Sequence, residues 1–454
     1  MKPFVFIICI LFSAQAVFAQ EKSWSLEDCI EYAIAHNPQR AKQEAQNAIY
    51  KINREETVAG FLPSLSAETS LSGNFGRGVD PETNTYISTS TLGNSYQIYS
   101  SLTLFDGLSS VYRAKAAKIN QLMGDRQLQE VKDQIALETM EIFYNALYYK
   151  GTVALAEQQL RESSDNLKRF QRMEELGMKA APDVAEIRAK EAEDRFLLTR
   201  QRNLLRLEII KLKEKMNFPA DEDLQISGGE DGNQISPANI NLHQQQLTLT
   251  DNPAEIFEQA LLSLPKIIAS EQALKTSELE YKAARGRLFP TIALGAGFST
   301  GFSRLMDDSP YMSFKEQLKN RRGSYLGVSL SIPLFDKLSR SSESRRAKQR
   351  FIIAQNQQQE TLRQAYSEIE QAVADVNGLR EESAAAHEKT VAMNEAHRVN
   401  ERKYDEGLIS AIELTTSANR LLNARVEELY SGLKYQLKYK LLNYYKGISS
   451  WTEF

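Results

Sequence analysis

The sequence has no apolar stretch near the ~20 residues that a membrane-crossing helix needs, so a helical membrane protein is excluded. A β-barrel is not, because its strands leave a much weaker signal per segment. Cysteine is scarce. Cys9 lies inside an N-terminal apolar run that follows Lys2, and Val17-Phe18-Ala19 offers small residues for cleavage, so residues 1–19 read as a secretory signal peptide. Cys29 is then the only cysteine of the mature chain, and no intrachain disulfide can form. Basic excess is also missing: the formal net charge is −4, which gives no support for nucleic-acid binding. His36, His243, His387 and His397 show no ligand spacing, so no metal site is expected. There is no nucleophile motif and no Gly-rich phosphate loop. The chain therefore reads as neither an enzyme nor a cofactor binder.

What is present is one unit written twice. Asn37-Pro38 aligns with Leu264-Pro265, and Phe61-Leu62-Pro63 aligns with Leu288-Phe289-Pro290, both at an offset of 227. At an offset of 230, Ser101–Asp106 falls on Ser331–Asp336, Gly177-Met178 on Gly407-Leu408, and Asp183 on Glu413. Repeats of this kind define architecture before any single motif does. The first repeat covers 20–218 and the second 253–447. A Gly-, Asn-, Gln- and Ser-rich connector, 219–252, lies between them, and 448–454 is a tail.

Each repeat reads helix, strand, loop, strand, very long helix, turn, long helix. Period-two alternation places strands at 63–75, 95–105, 290–302 and 324–334. Leu65, Ala67, Thr69 and Leu71 share one face of the first, with serines on the other. Leu326, Val328, Leu330 and Ile332 alternate with Tyr325, Gly327 and Ser329 in the last. These lengths suit the ~9–11 tilted residues that cross a bilayer. The polar stretches Arg77–Leu92 and Ser303–Gly323 read as loops.

Helices are expected over 107–176, 182–218, 337–406 and 411–446, with no proline inside the two longest. About 70 residues of helix rise ~105 Å. Apolar residues recur at three and four, as at Leu128, Val131, Ile135 and Ile142, a coiled-coil stripe. The fold class is thus a membrane β-barrel combined with an α-helical barrel. Four strands cannot close a barrel, since the smallest membrane barrels have about 8. The strands must be pooled among copies, and the residues alone leave a dimer, trimer or tetramer open. A non-transporting periplasmic coiled-coil scaffold is the alternative, but it has no use for alternating strands.

The turns between long helices carry the candidate site. Gly177 and Gly407 are placed to end their helices in the left-handed conformation. Asp183 follows Pro182 in a first helical turn, and Ser410-x-x-Glu413 is a capping box. Repeated around an axis, these carboxylates would make a cation-attracting constriction. The basic cluster Arg340, Arg345, Arg346, Lys348 and Arg350 opens the second long helix and reads as a solvated face or as an anchor at lipid headgroups.

In this layout the chain resembles the TolC family of outer-membrane efflux proteins. The resemblance rests on the duplicated strand–strand–long-helix unit, the Leu104–Gly107 and Leu334–Asp336 junctions, and the turns Glu175–Val184 and Tyr404–Leu414. It implies a homotrimer in the outer membrane of a Gram-negative bacterium, with a 12-stranded barrel and a 12-helix tunnel projecting into the periplasm. It also implies a periplasmic adaptor and an inner-membrane pump as partners, the adaptor meeting the tip turns at Gly177, Met178, Gly407, Leu408 and Ser410. The resemblance further makes Asp183, Tyr404 and Glu413 the entrance gate. Ile409 departs from it, because the links that hold such a gate shut often use arginine there.

Overall fold

A computed structural model describes residues 23–79, 84–227, 252–306 and 311–448. The expected signal peptide, most of the expected connector and all of the expected tail but Ile448 lie outside the described residues. The chain divides into two compact units.

One unit is built from 39–131 and 252–369. Its centre is a four-stranded antiparallel sheet in the order β2-β3-β5-β6, with β2 at Ser64–Val79, β3 at Tyr86–Phe105, β5 at Thr291–Leu305 and β6 at Gly323–Ser331. The register aligns the apolar positions of all four strands. Ala67 lies opposite Ile98, Ile98 opposite Phe298, Leu294 opposite Val328, and Ala296 opposite Leu326. Directly opposed residues point to the same face, so the sheet carries one continuous apolar face. The other face holds Ser66, Glu68 and Ser70 beside Tyr99, Gln97 and Ser95, and the hydroxyls of Ser70 and Ser95 meet at 2.7 Å. The apolar face is uncovered: Leu326, Val328 and Leu330 are 62–76% exposed.

Two readings of loops are corrected here. The stretch Arg77–Leu92 is largely strand, because β2 and β3 continue their pairing out to Val79 and Tyr86. Its Gly78, Ser88, Thr89, Ser90 and Thr91 lie in the ladder without showing apolar alternation. Within Ser303–Gly323 lies a short helix, α7 at Phe314–Asn320. It is capped by Ser313 and Glu316 and sits on β5 through Thr300 Oγ1, which donates to Leu318 O at 2.8 Å. The buried Gln317 accepts from Ser303 N at 3.0 Å.

Helices α2 (Pro38–Ala59) and α6 (Pro265–Gly286) lead into β2 and β5, while α5 (Pro253–Ser263) precedes α6. Gly107 and Gly286 cross so closely that a Cβ on Gly107 would lie 2.0 Å from the Gly286 carbonyl oxygen.

The other unit is built from the described parts of 1–38, 132–251 and 370–454. It holds α1 (Leu26–His36), α4 (Ala181–Met216), α9 (Ala411–Tyr445) and the distal parts of α3 (Ser109–Glu175) and α8 (Ser339–Asp405). Alanine and glycine let these helices approach: Gly151 faces Leu429, whose Cδ2 would lie 2.5 Å from an added Cβ. Tyr444 donates to Asp133 at 3.2 Å. The two-residue strands β1 (Ser23–Trp24) and β4 (Gln225–Ile226) pair in parallel, and Trp24 packs edge-on against Tyr32 and Phe218. The start of the connector is thus tied to the N-terminal helix. No helix among the described residues is long and apolar enough to cross a membrane.

Candidate functional site at the helical tips

Helices α3 and α8 end alike. Gly177 (φ 71°) and Gly407 (φ 75°) are left-handed, and each is followed by the same pair of closing bonds. Gly177 N donates to Glu174 O and Met178 N to Met173 O; Gly407 N donates to Tyr404 O and Leu408 N to Lys403 O. This is the Schellman motif, which satisfies carbonyls left over at a helix end. A Cβ at φ near +70° is strained, so glycine is favoured at both turns. The turns leave Met178 and Leu408 largely exposed, with Gly177, Gly407 and Ser410 beside them at the surface.

Behind the turns the four helices close on a small apolar plug of Phe170, Val184, Ile187, Tyr404, Ala411 and Leu414, with Leu167 and Ile409 packed against it. Tyr404 stacks on Phe170 with ring centroids 5.5 Å apart and planes 13° apart. Lys179, from the opposite turn, lies 5.0 Å from the Tyr404 ring and 5.7 Å from that of Phe170. An ammonium over an aromatic face gains ~0.5–1 kcal/mol at an exposed site. Arg169 reaches Asp405 at 3.3 Å, a surface bridge from α3 to α8.

The expected gate residues are not gathered into one cluster within a single chain. Glu413 turns back on its own helix start, accepting from Ser410 N at 2.9 Å, while Glu413 N donates to Ser410 Oγ at 3.2 Å. Asp183 is half-buried in the first turn of α4 beside Val184. Tyr404 is buried, and its hydroxyl has no hydrogen-bond partner among the described residues. The pattern of residues gave no sign of Phe170 or Lys179. The 230-residue offset pairs them with Asn400 and Ile409, so the repeat carried no hint that they meet Tyr404. The described residues hold no group of three or more potential metal-ligating side chains.

Comparison with known proteins places this geometry. The family model described as "Outer membrane efflux protein" matches residues 256–443. The outer membrane efflux protein BepC of Brucella suis is 22% identical over 356 residues, spanning 77% of this chain and 71% of BepC. Among solved structures, CusC superposes with a TM-score of 0.78 at 16% identity, covering 95% of both chains. The outer membrane protein VceC of Vibrio cholerae gives 0.76 at 13% identity, over 93% of this chain and 96% of that one.

Proposed function

We propose, from the match of residues 256–443 to the outer membrane efflux protein family model and the likeness to BepC, that this chain is a member of that family and the passive exit duct of a tripartite efflux or type I secretion-like system. It lies in the outer membrane and, like its relatives, is a channel rather than an enzyme. It exports small molecules or proteins that an inner-membrane pump delivers through a periplasmic adaptor.

The observation that carries this reading is the sheet. Its apolar face is continuous over four strands, and both edges, β2 and β6, have no pairing strand among the described residues. In lipid each unpaired N–H or C=O costs several kcal/mol, so an open sheet cannot stay open. Copies close the deficit by pairing β6 of one with β2 of the next. Three copies of a 4-stranded sheet give a barrel of 12, and the long helices continue it as a tunnel of 12. The apolar face meets lipid and the serine-rich face lines water.

At the tips, Asp183 and Glu413 from each copy form rings of carboxylate that draw cations into the entrance. Tyr404 and Asp183 belong to the links that keep it closed. Ile409 offers no guanidinium here, and Lys179, seated over the Tyr404 ring, supplies the local cation instead. Met178 and Leu408 are the adaptor-facing apolar contacts.

Planar-bilayer recording tests this. The wild-type protein should conduct, with a preference for cations that Glu413→Gln reduces. Asp183→Ala combined with Tyr404→Phe should raise single-channel conductance. Conductance and selectivity unchanged in all of these variants would remove the gate assignment, and no conductance at all would remove the duct.

A further inference from the structure

The strands β2, β3, β5 and β6 carry only two basic residues, Arg77 near the end of β2 and Arg304 near the end of β5. Both fall on the apolar face. Along β2 that face runs through Ala67, Leu71 and Phe75 to Arg77, and along β5 through Leu294 and Phe298 to Phe302 and Arg304. Both also fall at one end of the sheet. Helices α2, α3, α6 and α8 all join the other end. Each guanidinium lies over a tyrosine ring, Arg77 at 5.8 Å from Tyr86 and Arg304 at 5.4 Å from Tyr311. Arginine on a lipid-facing wall is costly at the middle of the bilayer and nearly free at its interface. The two arginines therefore mark headgroup depth.

Helix α7 lies on this same face. Thr300 and Phe302 belong to it, Thr300 Oγ1 donates to Leu318 O at 2.8 Å, and the Phe302 ring packs against Phe314 at 5.4 Å and Tyr311 at 6.2 Å. Tyr311, Met312 and Phe314 nevertheless stay exposed. Lys315, Lys319 and Arg321 stand exposed on and beside the helix. The one acid described there, Glu316, is turned back to Ser313, accepting from its N at 3.2 Å and its Oγ at 2.8 Å. Among the described residues no carboxylate pairs with Arg77, Arg304, Lys315, Lys319 or Arg321. Exposed rings beside uncompensated cations suit a segment lying in a membrane interface, where rings enter the acyl region and long basic side chains reach the headgroups.

We propose that α7 and the adjoining end of β5 hold the phosphates of a lipopolysaccharide molecule in the outer leaflet, with Arg304, Lys315, Lys319 and Arg321 on the phosphates and Tyr311 and Phe314 against the acyl chains. Place and charge select this occupant. The face continues the wall that meets lipid, and this end of the sheet is the one turned away from the long helices, hence away from the periplasm. Basic clusters at headgroup depth recognise anionic lipid heads, and guanidinium pairs with phosphate through two parallel hydrogen bonds. Four cations gathered on one short helix and one strand end suit an anion that carries more than one phosphate. The site rests on the barrel reading above, since it needs the apolar face to lie in lipid.

The test uses the full chain in detergent and measures its affinity by thermophoresis for diphosphoryl lipid A, dephosphorylated lipid A and phosphatidylglycerol. The wild-type protein should prefer diphosphoryl lipid A to each of the others by about tenfold or more. Arg304→Gln, Lys315→Gln, Lys319→Gln and Arg321→Gln together should remove that preference and leave planar-bilayer conductance at the wild-type level. Equal wild-type affinity for the phosphorylated and dephosphorylated lipids overturns the site. So does phosphatidylglycerol bound as tightly as diphosphoryl lipid A, which would mean a surface for any anionic lipid. A folded variant that keeps the preference also overturns it, and the wild-type comparison decides the matter if the variant does not fold. A protein that conducts without preferring the phosphorylated lipid loses this site and keeps the duct; one that neither inserts nor conducts loses both.

Discussion

Tyr404, proposed above as a gate residue, is in the first place a packing residue. Its ring is fixed by Phe170 and Lys179, while its hydroxyl is buried without a partner. An unsatisfied buried polar group costs ~1–3 kcal/mol, so deleting it need not destabilise the tip. Tyr404→Phe should leave amide hydrogen exchange around 404–414 unchanged or slower. Phe170→Ala should instead cost ~3–5 kcal/mol locally, by removing a fully buried ring. Faster exchange across both tip turns is the expected result. Equal effects from the two substitutions would mean that the hydroxyl, not the stack, holds the tip. None of this was legible in the sequence. Tyr404 stood out there through resemblance, but its stacking partner comes from a helix more than two hundred positions away and is not its repeat equivalent.

At the scale of elements, the strands were the legible part. Leu326, Val328 and Leu330 alternate strictly, and their register with Leu294, Ile292 and Ala296 follows from that alternation. Val328→Arg should cost ~2–4 kcal/mol if this face meets the middle of the bilayer, whereas Ser329→Arg should be nearly neutral. Refolding into lipid vesicles under urea measures both, and equal costs would contradict the assignment of faces. The outer ends of β2 and β3 were not legible, because Gly76, Gly78, Ser90 and Thr91 pair through the backbone without an apolar period. Nor was α7, whose seven residues are too few for a helical stripe; its Ser313-x-x-Glu316 capping box was the one available signal.

The helices make a pH prediction of their own. Burial opposes ionisation of Glu138, yet hydrogen bonds from Lys215 and Gln134 hold its carboxyl below the ordinary range. A carboxyl depressed in the folded state adds stability above its unfolded pKa and loses it as pH falls through the folded one. Acidification should therefore loosen the α3–α4 contact near Glu138, read as faster hydrogen exchange there below about pH 4. Glu138→Gln should remove that dependence.

At the scale of the whole molecule, two partial structures ask for company. Among the described residues the sheet has an apolar face that is largely exposed and two edges without a pairing strand, and α2 has no buried residue. The shared barrel proposed above would bring a neighbouring copy to both. From the sequence alone the expectation of shared strands rests on there being four alternating strands, too few to close a barrel.

The mass of the detergent-solubilised particle, measured by native mass spectrometry, tests the shared barrel most directly. Three copies per particle are expected, and none should remain soluble once detergent is withdrawn. A folded single chain, stable in water without detergent, would contradict it.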